Sequence, residues 1–106
     1  MNLVTQVYKC TQGFPKEEVF GLTSQIRRCS VSIPNNIAEG YGRVSSNEFV
    51  RFLNIATGSL FELQTQIEIA HNLNYIPLHD FQTIHESSRE LERMLTSFID
   101  KVRKTL

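Results

Sequence analysis

Apolar residues recur along the chain at steps of three and four, the spacing that lines one face of an α-helix. Leu3, Val4, Val7, Tyr8 and Cys10 mark a short first helix over about residues 2–12, closed by Gly13. Phe14-Pro15 reopens the chain, with Pro15 suited to a first helical position and Glu17 and Glu18 to a first turn, where the helix dipole favours acids. Val19, Leu22, Ile26, Cys29, Ile33 and Ile37 continue the pattern and predict a second helix over 15–41. Ser45 and Glu48 form a capping box ahead of Phe49, Leu53, Ala56, Leu60, Leu63, Ile67 and Ala70, which predicts a third helix over 46–73. Asn74 is a candidate left-handed C-cap. Pro77 opens a fourth helix over 77–104, whose stripe is Phe81, Ile84, Ser88, Leu91, Leu95, Phe98 and Val102. No segment alternates with period two over the length of a strand.

Four helices with short connections make antiparallel neighbours, so the expected fold is all-α: one domain over 1–106, an up-down four-helix bundle. The first helix is short beside its partners and leaves one groove of the bundle part-filled. Ile55, Ile69, Met94 and Ile99 lie off the main stripes, and apolar surface of this kind points to a second packing partner, with another copy of the chain as the candidate. Gly58 and Ser59 sit inside the third helix, where each is less favourable than alanine. Close helix approach accounts for them, and they are candidate subunit-packing residues.

The densest polar run is Ser32-Ile33-Pro34-Asn35-Asn36-Ile37-Ala38-Glu39-Gly40-Tyr41-Gly42-Arg43. Pro34 falls inside the helical pattern, where it removes a backbone hydrogen bond to the Ser30 carbonyl and is expected to kink the helix. Asn36 is placed to satisfy the freed carbonyl or a neighbouring group. Gly40 and Gly42 are expected to stop the helix through a left-handed cap. Pro34, Asn36, Glu39 and Gly40 thus read as a structural motif. Glu39 has no base or nucleophile beside it in the pattern, so catalysis is not indicated.

Composition narrows the function. The chain has 106 residues, is 41% hydrophobic and has no apolar run long enough to cross a membrane. Its first residues lack the basic and apolar regions of a secretion signal. Cys10 and Cys29 show no metal-ligand spacing and read as free thiols of a cytoplasmic protein. His79 and His85 are six apart, off the spacing that puts two zinc ligands on one helical face, and neither metal nor cofactor is expected.

Eleven basic residues balance 11 acidic ones, which argues against bulk electrostatic binding of nucleic acid. The charge is uneven, however: residues 1–60 carry six bases and four acids, residues 61–106 five and seven. Lys101, Arg103 and Lys104 cluster at the end. With Arg27, Arg28, Arg43 and Arg51 they are the candidate nucleic-acid contacts, since an arginine fork matches phosphate oxygens. Other readings are ion pairing of the arginines with Glu39, Glu48 or Glu62, and simple complementation of the last helix dipole by the terminal bases; a polybasic membrane patch has no amphipathic membrane face or lipidation signal beside it, so no membrane partner is expected.

Several stretches together resemble a known family. They are Leu22-Thr23-Ser24-Gln25-Ile26-Arg27-Arg28, the run from Ser32 to Arg43, Glu48-Phe49, Phe52 to Leu60 with Glu62-Leu63, and Leu73-Asn74-Tyr75-Ile76. They resemble the proteins encoded in 23S ribosomal RNA intervening sequences, also called the S23 ribosomal protein family. The resemblance implies an antiparallel four-helix bundle that assembles as a five-subunit ring. The same fold family includes the accessory variability determinant of diversity-generating retroelements, which binds nucleic acid through basic surface and engages a reverse transcriptase. By this resemblance the expected protein is a non-enzymatic homopentamer with an accessory or scaffold role. RNA or an RNA–DNA hybrid and a reverse transcriptase are its candidate partners. The alternative is a protein-binding scaffold that does not touch nucleic acid.

Overall fold

The computed structural model describes residues 2–43 and 45–105. It contains α1 (Asn2–Thr11), a 3₁₀ turn (Lys16–Glu18), α2 (Leu22–Tyr41), α3 (Ser46–Asn72) and α4 (Leu78–Arg103), with no strand among the described residues. The four helices pack side by side into an elongated body of 46 × 24 × 18 Å. α3 is its spine, touching α2 on one flank and α4 on the other, while α1 lies between α2 and α4. Leu53, Ala56, Leu60, Leu63, Ile67 and Ala70 are buried along α3, as its three-four spacing requires. Ile26 and Ile33 of α2, Ile84 and Leu95 of α4, and Leu3 and Val7 of α1 close on that stripe.

Both ends of α3 follow from local chemistry. Ser45 has extended backbone, and its Oγ accepts the Glu48 amide at 3.1 Å, satisfying one of the free N–H groups of the first turn. At the other end Asn74 takes φ = 65°. The Tyr75 amide then reaches back to the Ala70 carbonyl, and the Asn74 amide to His71, each at 2.9 Å. This is a Schellman closure with asparagine in the place glycine usually fills.

The start of α2 departs from the periodic pattern. The helix begins at Leu22, not at Pro15, because residues 16–18 wind into a separate 3₁₀ turn and Gly21 stands at the N-cap. Two contacts hold the segment across the end of the bundle. Phe14 is buried against the Tyr75 ring, with centroids 5.4 Å apart. The Glu18 carboxylate accepts from both Leu22 N (3.3 Å) and Tyr75 Oη (3.1 Å). Val19, a member of the expected stripe, is consequently 51% exposed, and Phe20 beside it is 95% exposed.

The glycines also depart from expectation. Gly40 lies inside α2, and Gly42 ends the helix with a right-handed φ of −78°, so neither works as a left-handed cap. Gly40 is there for space: a Cβ on it would stand 2.7 Å from Phe49 Cδ1 and 3.2 Å from Phe52 Cβ. Gly58 is the reverse case, since an added Cβ would meet nothing within 4 Å, so close approach inside the chain does not explain it. Ile99, expected off the stripe, is 6% exposed and belongs to the core. α2 runs unbroken through Pro34.

Gly40→Ala should therefore destabilise the fold by about 1–3 kcal/mol through overpacking, less the ~1 kcal/mol that alanine gains in a helix. Gly58→Ala should stabilise it by up to about 1 kcal/mol. Urea denaturation of the two variants, compared at the same protein concentration, checks the opposite signs.

Candidate nucleic-acid interface

Up-down topology brings the end of α2, the start of α3 and the end of α4 to one end of the bundle. Three rings join them there. Tyr41 and Phe49 stand 4.9 Å apart, Phe49 meets Phe98 edge-on at 5.5 Å, and Tyr41 lies 6.4 Å from Phe98. α1, at 10 residues, is half the length of the 20-residue α2, and Thr11 at its end meets Arg27.

Five of the sequence's candidate bases belong to the helix ends at this side of the bundle. The guanidinium of Arg43 lies 4.8 Å above the Phe52 ring and that of Arg51 5.8 Å from it. Lys101 and Arg103 are in the last turn of α4, and Lys104 is its C-cap. Glu39 and Arg43 form an exposed ion pair one turn apart on α2. The acids at this end are Glu39, Glu48 and Asp100, fewer than the bases. Tyr41, at the same end, is 67% exposed.

Arg27 and Arg28 stand apart from this group. Arg27 is half-buried, donates from Nε to Thr11 Oγ1 at 2.8 Å and lies 4.9 Å above the Tyr8 ring, which ties α2 to α1. Arg28 is exposed on the other side of α2, in a polar groove with Gln25, Cys29, Ser32, Ser59 and Glu62.

The Pro34 motif resolves into a polar seam between α2 and α3. Asn36 Nδ2 donates to Ser32 O (2.8 Å) and Ser32 Oγ (3.0 Å), so it serves a neighbouring carbonyl, not that of Ser30. Ser32 Oγ pairs with Ser59 Oγ at 2.9 Å, and Cys29 Sγ donates to Ser59 O at 2.9 Å. Burial, with Glu62 alongside, pushes the Cys29 thiol up to about 11. Burial and Asp80 raise Cys10 to about 11 as well, against a smaller lowering by Arg27. Tyr75 is raised by its hydrogen bond to Glu18. Among the described residues no group of three or more His, Cys, Asp or Glu side chains is placed to hold a metal ion. Nor is any helix long and apolar enough to cross a membrane, among those same residues.

Sequence reasoning missed the part played by Tyr41, Phe49, Phe52 and Phe98. The available signal was that aromatic residues crowd the helix ends where the candidate bases lie. It also missed a stack of His71, Phe81 and His85, with centroids 4.5 and 5.6 Å apart. Phe81 and His85 are four apart in sequence, a spacing that places them on one helical face.

The fold and its seam define a helical-bundle protein with a basic, aromatic-bearing end. The chain belongs to the 23S rRNA-intervening sequence protein family, whose model matches residues 1–97. It is similar to a protein of unknown function from the S23 ribosomal protein family of Bacteroides thetaiotaomicron VPI-5482. The two are 25% identical, the likeness covers 92% of each chain, and the TM-score is 0.85. A comparison with curated proteins finds no match.

The raised thiols carry a pH signature. Between pH 9 and about 11 the unfolded chain has lost thiol protons that the folded chain keeps, so stability falls as pH rises through this window. Urea midpoints measured from pH 8 to 11 should decline, and a Cys10→Ala/Cys29→Ala variant should lose the part of the decline that begins near pH 9.

Proposed function

We propose that the protein self-assembles and binds RNA or an RNA–DNA hybrid through the basic end of its bundle, as a non-enzymatic accessory or scaffold component. What supports this reading is that Arg43, Arg51, Lys101, Arg103 and Lys104 all belong to helix ends at one side of the bundle, where Arg43 and Arg51 lie over Phe52 and Tyr41 is exposed. Lysine and arginine neutralise phosphates, and an aromatic face among them offers a surface on which an unpaired base stacks. The chain as a whole is neutral, so one copy would bind weakly. Assembly multiplies the patch, and linked weak contacts add up to useful avidity.

The outer side of α3 supports assembly. Ile55, Gly58, Ile69 and Leu73 share that side with Glu62 and Thr65, and all are exposed. The family resemblance suggests five copies, with the partner copy covering this face. A reverse transcriptase is the candidate protein partner of such an assembly. The second reading, a protein-binding scaffold without nucleic acid, is favoured by the apolar residues Phe20 and Leu78, which are exposed.

Light scattering and binding of labelled structured RNA at two salt concentrations separate the readings. The expected result is a five-subunit mass and affinity that falls steeply with salt. An Arg43→Ala/Arg51→Ala/Lys101→Ala variant should keep the mass and lose about two to three units of salt slope, since each phosphate contact contributes roughly 0.7–0.9. A five-subunit mass with no RNA binding at low salt leaves the protein scaffold. A monomer overturns the assembly.

A further inference from the structure

Phe20 stands on the turn of residues 19–21, between the 3₁₀ segment and α2, and is 95% exposed. Phenylalanine gains from burial as much as most side chains do, and at this exposure it gains almost nothing within its own chain. The turn that presents it is braced. Phe14 is buried against Tyr75 before the turn, and the Glu18 carboxylate holds Leu22 N and Tyr75 Oη across it. A ring held out on a fixed turn loses little freedom when it meets a partner.

The same contacts set the level of the ring along the bundle. Tyr75 follows Leu73 by two residues, so the turn lies at the end where α3 finishes. There the outer side of α3 carries Ile69, 45% exposed, and Leu73, 49% exposed, one helical turn apart. Each copy thus has a protruding ring and an apolar patch at one level. Copies standing side by side and pointing the same way bring the ring of one level with the patch of the next. A contact between two unlike surfaces repeats from copy to copy and closes into a ring.

The occupant follows from what each candidate leaves bare. A different protein seated on Phe20 leaves Ile69 and Leu73 uncovered, whereas a second copy covers both with one kind of contact. Charge agrees. Lys16 and Glu17 precede the ring on the 3₁₀ turn, and Glu62, with Arg28 across its groove, shares the side of α3 that bears the patch. All four are exposed and stand outside the ion pairs of the described residues. Each surface is therefore balanced, and neither repels the other. We propose that Phe20 is the anchor of the contact between copies, seated on Ile69 and Leu73 of the next copy. This rests on the self-assembly reading and names the two surfaces that meet.

The chain has no tryptophan, so Phe20→Trp keeps an aromatic anchor and makes it a reporter. Its emission should move to the blue over the concentration range in which light scattering shows assembly. Phe20→Ser, a change at an exposed side chain, should keep the helical circular dichroism and weaken assembly by about thirtyfold or more, the scale of an interface anchor. Ile69→Glu, also at an exposed position, should do the same. Mixed at a concentration where each alone is monomeric, these two variants should give a two-chain species and nothing larger. The intact patch of the first takes the intact ring of the second, and the surfaces left over no longer match. A parent protein that is monomeric overturns the assembly and this contact together. An assembled parent whose Phe20→Trp variant emits as an exposed indole, or whose Phe20→Ser variant keeps the parental mass, overturns the contact and leaves the assembly standing. Mixed variants that stay monomeric overturn the pairing of Phe20 with the α3 patch.

Discussion

The close approach of α2 to α3 is the constraint on which the rest of the structure depends. Small residues make it achievable: Cys29, Ser32 and Gly40 on one helix, and Ser59 on the other. Two helices that close on each other through polar atoms must satisfy those atoms, since an unpartnered buried group costs more than a formed hydrogen bond gains. The seam does so with the serine pair, the thiol donating to a carbonyl, and Asn36 turned back onto Ser32. Gly40 then lets Phe49 and Phe52 lie against the backbone of α2. That contact sets the angle at which α3 begins, and with it the positions of Arg43 and Arg51 over Phe52.

The short α1 makes the two ends of the bundle unlike. At one end α1, the 3₁₀ turn and the Phe14–Tyr75 contact cover the helices, and Glu18 ties three segments together through its two oxygens. At the other, Tyr41, Phe49 and Phe98 join the ends of α2, α3 and α4. A neutral chain thereby acquires a basic end, because helix direction sorts its charges. The dipole favours cations where α4 finishes, and the up-down path brings Arg43 and Arg51 to the same place.

Much of this was legible in the residue pattern. Ser45 with Glu48 marked the start of α3, Asn74 its left-handed end, and the spacing from Leu53 to Ala70 its buried face. The start of α2 was not legible. Val19 sits at helical spacing from Leu22 and Ile26, and a periodic pattern has no means of showing that Phe14 and Glu18 prefer partners on the far loop at Tyr75. Gly40 and Gly58 likewise look alike as letters. One is needed because two rings press on it, and the other faces open space.

The sequence by itself determined that there are four helices, which residues of α3 face inward, and where its caps fall. These depend on a repeat of 3.6 residues and on hydrogen bonds between residues three to five apart, so local order suffices. Which arginines meet is a matter of packing. Arg27 and Arg28 are adjacent in the chain yet serve different sides of α2, whereas Arg43 and Arg51 share one ring. The reason is that a helix separates neighbours by about 100° around its axis, while packing brings together residues from different helices whose sequence positions carry no record of the meeting.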